Sequence, residues 1–438
     1  PFRDLPLKAP ARDMPRNSKD SIPIRLSAFP DSSAKSANPR PTLTETSTES
    51  FKSPRAAACP GDRKRPQKSG STPANVPSMF HPMEHVKGRG AQSGDVSARF
   101  DLPSREADGD WRDEREAIDG PAPKLCTEVT EEAPRSILNF NQSPDIPFDR
   151  SINAYRGCEH GCIYCFARPT HAYLDLSPGL DFETKLFAKP NAAELLRATL
   201  AKRGYQPRPI AMGTNTDPYQ PIESRYRITR QILEVCLDAR HPVTITTKSD
   251  RVLADLDLIG ELAKRNLIAV AISVTSLDPH LSRLVEPRAP SPAKRLAALG
   301  KLVEAGVPAH CSIAPVIPAI TDDAMEGIVA RAAELGVTSA GWIVLRLPHE
   351  VAPLFREWLD THFPDRKDKV MGIVRSIRDG KDNDPSFFSR MKPTGVWADL
   401  FRARFDLAKK RAGLGRPVFE LDSSRFRPPM TDGQLRLL

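Results

Sequence analysis

Ser151-Ile152-Asn153-Ala154-Tyr155-Arg156-Gly157-Cys158-Glu159-His160-Gly161-Cys162-Ile163-Tyr164-Cys165 joins a short strand near 149–154 to three cysteines packed within eight residues. The spacing is C-x3-C-x2-C, with an aromatic just before the last cysteine. Closed iron–sulfur clusters of the ferredoxin kind take four thiolates, so a loop that offers three leaves one iron open. Gly157 and Gly161 supply the positive φ that a tight loop around a cluster needs, and Arg156 sets a positive charge beside it. A second reading stays open: Cys158, His160, Cys162 and Cys165 make a Cys3His set of the kind that holds structural zinc. Zinc ligands usually come as two spaced pairs, whereas these sit in one stretch. The zinc reading implies a non-enzymatic interaction protein whose basic tail contacts nucleic acid. A simple electron-transfer protein is a third reading, but it would want a fourth cysteine near the loop.

Working outward from the loop, strands and helices alternate. The patterns predict strands at 209–213, 243–247, 267–274, 309–316 and 341–346. Helices are expected near 190–203 (from Asn191 as cap), 224–240, 252–265, 291–305, 322–335 and 349–361. The run Leu267 to Val274 is apolar throughout, as expected of a strand covered on both faces. Such alternation argues for parallel strands with right-handed crossovers. Six units are too few for a closed eight-stranded barrel, so the expected fold is α/β: a partial, TIM-like (β/α)6 barrel with the cysteine loop after its first strand and its chemistry at the C-terminal strand ends. The tail from 363 onward, with helical stretches near 366–379 and 396–413, is expected to cover the open side. The organisation expected is a disordered, basic, Pro- and Ser-rich tail over 1–86, a leader over 87–136 that is acidic loop or short helix from 102 to 135, the catalytic barrel over 137–361, and a helical C-terminal extension over 362–438.

The chain of 438 residues has a formal net charge of +9. Residues 1–100 carry 17 Lys or Arg against 9 Asp or Glu, which leaves 47 against 46 for all the rest. The excess therefore belongs to the tail, and the catalytic part has no polyanion-binding signature. Cys59, Cys126, Cys236 and Cys311 are scattered and the total of seven is odd, which argues for a reducing compartment and against a disulfide framework or a second cluster. No apolar run approaches the roughly 18–20 residues of a membrane span, and no secretory apolar core opens the chain. A cytoplasmic protein with no membrane association is expected.

Polar residues stand at the predicted strand ends. The second strand runs into Gly213-Thr214-Asn215-Thr216-Asp217-Pro218-Tyr219, a turn able to hold an ammonium through Asp217 or backbone carbonyls, and hydroxyls through Thr214 and Asn215. Lys248 ends the third strand, placed to pair with a carboxylate, and Ser273 ends the fourth, suited to a ribose hydroxyl. In the leader, Gly88-Arg89-Gly90 reads either as a turn that presents Arg89 to an anion or as a linker.

The cysteine loop, together with Gly213-Thr214-Asn215-Thr216-Asp217-Pro218-Tyr219-Gln220, resembles the radical S-adenosylmethionine (radical SAM) superfamily, in the branch of spore photoproduct lyase and the DNA-repair photolyase-like proteins. Gly88-Arg89-Gly90-Ala91 with Arg99-Phe100 is similar to the leader of an uncharacterised bacterial subgroup of that branch. The resemblance spans about residues 87–415. It implies Cys158, Cys162 and Cys165 as ligands of a [4Fe-4S] cluster whose open iron chelates S-adenosylmethionine. It also implies reductive cleavage to a 5'-deoxyadenosyl radical that abstracts hydrogen, with electrons from a flavodoxin or ferredoxin. Tyr164 would lie beside adenine and cluster, the Gly213–Asp217 turn would bind the methionyl amino group, and Lys248 and Ser273 would meet carboxylate and ribose. The substrate implied by the nearest branch is a nucleic-acid base. That branch also uses a downstream cysteine as hydrogen donor, but residues 166–235 contain none. Cys311 is the better remaining candidate, with Cys236 inside a helix. Tyr155, Tyr164, Tyr173 and Tyr219 are candidate relays.

Overall fold

The computed structural model describes residues 88–100, 125–415 and 419–430. These belong to one compact unit, Gln67–Leu438; the other unit, Pro1–Pro66, lies outside the described residues. The disordered tail expected over 1–86 and the acidic stretch up to 124 fall outside them too. The acidic leader nevertheless ends in a strand rather than a loop: β1 is Glu128–Glu131. The remaining strands are β2 Leu138–Phe140, β3 Arg150–Ile152, β4 Tyr155–Arg156, β5 Lys185–Ala188, β6 Ile210–Met212, β7 Val243–Thr247, β8 Ile268–Ser273, β9 Ala309–Val316 and β10 Ser339–Val344.

Six parallel strands form the main sheet in the order β10-β9-β8-β7-β6-β3, and β2 adds antiparallel to β3 at one edge. Helices Ala192–Leu200, Ile228–Asp238, Leu256–Ala263, Pro292–Glu304 and Met325–Glu334 connect successive strands. This is the expected sixfold βα order. Asn191 does precede the first of these helices, but its side chain caps nothing and donates instead to the Pro134 carbonyl. A short helix, Pro279–Val285, escapes the periodicity.

The register sorts side chains cleanly, because strand residues alternate between faces. One face carries Ile152, Met212, Ile245, Val270, Ile272, Cys311 and Ile313, all buried in the core they share with the helices. The other face carries rows of small or polar residues. Ser151 stands beside Ala211, then Thr244, then Ala269; Thr246 stands beside Ala271 and His310; and Ser273 stands beside Ser312 and Gly341. The strand expected to be covered on both faces, Ile268–Ser273, is buried at every position but Ala271, which is half-buried.

Helices Val351–His362 and Lys367–Ser376 build a second apolar core with Ile163, Tyr164 and Cys162. Val396–Arg411 packs on the apolar side instead, where Arg404 holds Glu326 and Asp322, and Phe401 and Phe405 meet Trp342. The loop between Lys367–Ser376 and Val396–Arg411 reaches both sheet edges. Arg390 grips Asp145, in the β2–β3 connection, through two bonds of 2.7 and 2.6 Å. Next to it, the Met391 sulfur accepts from Arg346, just past β10. Residues 390–391 therefore link the two sheet edges. Cys236 and Cys311 are free thiols.

Candidate functional site

The cysteine loop leaves β4 and is held in place almost entirely through its backbone. Gly157 and Gly161 take φ of +73° and +66°, as anticipated. Arg168, fully buried, donates to the carbonyls of Cys162 (2.9 Å), Gly161 (3.1 Å) and Gly179 (2.9 Å), and pairs with Glu183 at 2.5 Å. Gln220 brackets the start of the loop, donating to the Gly157 carbonyl and accepting from the Glu159 amide. From the far side Ile163 donates to the Val285 carbonyl, and Arg288 donates to the His160 carbonyl while pairing with Glu159.

The leader docks on the same loop. Glu183 accepts the amides of Gly90 (3.1 Å) and Ala91 (2.9 Å), and Arg89 donates to the carbonyls of Glu183 and Leu125. Arg89 is thus spent on backbone rather than offered to an anion, and burial, with Arg288 nearby, lowers its pKa. Ala91 packs beside Cys162, Ile163 and Tyr164.

Around the thiols the charges are arranged. Cys158 and Cys162 are buried and Cys165 is half-buried. Burial, reinforced by the Asp217 carboxylate, pushes the Cys158 thiol well up; burial pushes Cys162 up to about 12 against the pull of Lys248. Arg156 is not the compensating cation: it turns outward to Glu132 at 3.0 Å. Lys248 takes that place, its Nζ 5.9 Å from the centre of the Tyr164 ring. Asp217 accepts from Thr247 Oγ1 (2.6 Å) and from the amides of Lys248 (2.7 Å) and Tyr219 (2.9 Å). Burial alone would raise its carboxyl; His160 and these donors hold it well below the carboxylate range. His160 Nδ1 stands 3.3 Å from Asp217 Oδ2, at ion-pair range but off hydrogen-bond alignment. Among the described residues no three His, Cys, Asp or Glu side chains converge on one ion position.

Tyr164, Lys248, Asp217 and the cysteines are therefore neighbours, as their places in the sequence suggested. Gly213 carries φ of +84°, and a Cβ there would stand 2.0 Å from the Thr246 carbonyl oxygen. Thr214 Oγ1 and the Asn215 amide both reach Asn153. Ser273 is buried, and its carbonyl accepts from Arg295. Tyr164 donates to Glu286, which also accepts from Thr275 and pairs with Arg295. Cys311 is elsewhere: it is 0 % exposed in the sheet–helix core, apart from the apolar group that holds Cys162 and Tyr164. Tyr155 donates to buried Glu223, Tyr219 donates to Asp255, and Tyr173 is exposed. Sequence reading missed Arg168, Glu183, Glu286 and Arg295, and took Gln220 only as the end of a motif, without a role. Only Arg168, three residues past Cys165, lay near enough to the loop to draw notice.

Three soft thiol donors on one glycine-shaped loop beside a cation make a donor set that fits a thiolate-ligated iron–sulfur cluster. A family profile described as "Radical SAM superfamily" matches residues 152–332. An uncharacterized protein of Mycobacterium tuberculosis is 40 % identical over 235 residues, covering 52 % of this chain and 68 % of its own length. Another from Methanocaldococcus jannaschii is 33 % identical over 171 residues, 39 % and 61 % of the two chains. Among solved structures, spore photoproduct lyase complexed with dinucleoside spore photoproduct aligns with a TM-score of 0.46 at 15 % identity, over 65 % of this chain and 79 % of that one.

Proposed function

The chain belongs to the radical SAM superfamily, and on that premise we propose that Cys158, Cys162 and Cys165 hold a [4Fe-4S] cluster for reductive cleavage of S-adenosylmethionine. Bound there, the cluster would supply the electron for reductive cleavage of the sulfonium. The observation that carries this reading is the buried, backbone-clamped three-cysteine loop with Lys248 beside it. The protein's own part is to bind, orient and exclude water. The Gly213–Asp217 turn, with Thr214 and Asn215, offers its backbone to the methionyl ammonium. Asp217 fixes that turn against β7 rather than serving as a free counter-ion. Lys248 faces the carboxylate, Tyr164 flanks the adenine, and Ser273 on the polar sheet face meets the ribose.

Hydrogen abstraction from a substrate seated over the polar sheet face follows as the reaction class. A nucleic-acid base as that substrate rests on the sequence resemblance alone. Burial in the core gives Cys311 no support as hydrogen donor. A cytoplasmic setting and a flavodoxin- or ferredoxin-type reductant complete the proposal. Among the described residues no helix is long and apolar enough to cross a membrane. The test is anaerobic reconstitution with iron and sulfide, then reductant and S-adenosylmethionine, with 5'-deoxyadenosine as readout and Cys162→Ala as control. Product from the wild type alone supports the reading; a colourless protein that retains one zinc per chain and forms none sinks it.

A further inference from the structure

Two guanidinium groups stand at the seam that links the sheet edges, and neither makes an ion pair among the described residues. Arg378 is 3 % exposed. It spends Nη2 on the Leu345 carbonyl (2.8 Å) and Nη1 on the Arg390 carbonyl (3.4 Å), while its Nε is buried without a partner. Arg346 has one polar contact, the Met391 sulfur at 3.2 Å, and its buried Nε is likewise unpartnered. A thioether is a weak acceptor for a guanidinium. Asp145 is taken by Arg390 through both oxygens, and Asp384, which accepts the Ser386 amide, acts on Arg378 only at a distance, without a direct ion pair. Burial, then the neighbouring Arg346, holds Arg378 down to about 10; burial, then Arg390, lowers Arg346.

Setting a buried and a half-buried guanidinium side by side without a direct ion pair is costly. A clamp role explains two nitrogens of Arg378 but neither Nε, and nothing explains Arg346 beyond its stacking 5.5 Å from the Phe166 ring centre. Phe166 is the residue after Cys165 and is about half exposed, so the pair borders the cysteine loop. Met391 also lines a cleft of about 230 Å³ with Trp342, Val344 and Arg402, a cleft that neither Arg346 nor Arg378 lines.

We propose that Arg346 and Arg378 form a subsite for a phosphate group of the substrate, held at the rim of the cysteine loop. Two cations without a direct ion pair match a dianion better than a single carboxylate; Arg346 keeps its Nε–Nη2 edge for bidentate contact, and Arg378 adds its Nε. Only the naming of the occupant as substrate rests on the radical SAM reading; the anion site itself does not.

The test titrates inorganic phosphate into the reconstituted full chain by calorimetry, at constant ionic strength set with chloride, and acetate in parallel. Wild-type protein is expected to bind phosphate saturably and acetate at least tenfold more weakly. Arg346→Gln is expected to weaken phosphate at least tenfold. Because Arg378 also holds two carbonyls, Arg378→Lys is used there, with partial loss expected. Absence of saturable phosphate binding, or equal affinity in the wild type and Arg346→Gln, overturns the subsite even if 5'-deoxyadenosine is formed. Phosphate binding without 5'-deoxyadenosine keeps the subsite and sinks the catalytic reading instead.

Discussion

Gly90 lies so close against Gly161 that a Cβ on Gly90 would stand 1.8 Å from the Gly161 carbonyl oxygen. The same carbonyl accepts from Arg168, so it cannot swing away without breaking the loop's clamp. Gly90→Ala is therefore expected to push the leader off the cysteine loop. Overpacking of this kind costs about 1–3 kcal/mol. Limited proteolysis should cut near residue 90 faster in the variant, and iron retained per chain after reconstitution should fall. Unchanged cleavage and iron content would show that the leader is a passenger.

Glu183 is the hinge of that arrangement, shared by Arg168 and the amides of Gly90 and Ala91. Glu183→Ala leaves a fully buried guanidinium without its partner, which costs about 3–5 kcal/mol. Urea unfolding should show a lower midpoint at unchanged slope. The double change Arg168→Met with Glu183→Leu removes both charges and should recover part of the loss. A double variant as unstable as the single would mean that the backbone bonds, not the charge, are what matters.

The sixfold βα order was legible because its signals are local: apolar runs of strand length, helical periodicity and punctuating glycines such as Gly306, which takes φ of +72°. The cysteine loop was legible for the same reason. Charge partners were not, because they join segments far apart in the chain: Tyr164 to Glu286, Glu183 to Gly90, Asp145 to Arg390. Arg156 shows the hazard of reading charge from adjacency. It neighbours Cys158 in sequence, yet strand alternation turns it out to Glu132, and Lys248 from a later strand end takes its place.

Glu223 is buried with its oxygens on the Tyr155 hydroxyl and the Thr229 amide. Burial raises its pKa from 4.5 to about 7. A carboxyl raised on folding is equally protonated in both states below about 4.5. Between there and about 7 the unfolded chain gives up its proton while the folded one keeps it, so stability falls as pH rises. The loss is complete above about 7, and at most about 3 kcal/mol. Glu223→Gln keeps an oxygen for the Thr229 amide and offers its NH2 to Tyr155. It should remove this component, leaving the variant gaining on the wild type from pH 4.5 to 7 and level with it in slope beyond. Parallel urea-derived stability curves across that range would refute the assignment.

Lys248 tests the cofactor side. Burial by itself would lower its ammonium, but Cys162, Glu286 and Asp217 hold it above the ordinary lysine range. It is therefore a fixed cation at neutral pH. A charge so placed is available to a ligand carboxylate, and truncating one partner of such a pair is felt mainly in dissociation. Lys248→Met keeps the stem packed over Tyr164 and removes only the charge. The affinity of the reconstituted protein for S-adenosylmethionine, measured by equilibrium dialysis, should weaken about tenfold, equivalent to about 1.4 kcal/mol. A neutral analogue lacking the carboxylate should bind wild type and variant alike. If the variant instead loses both ligands equally, Lys248 supports the loop rather than the carboxylate, and the carboxylate must be met elsewhere.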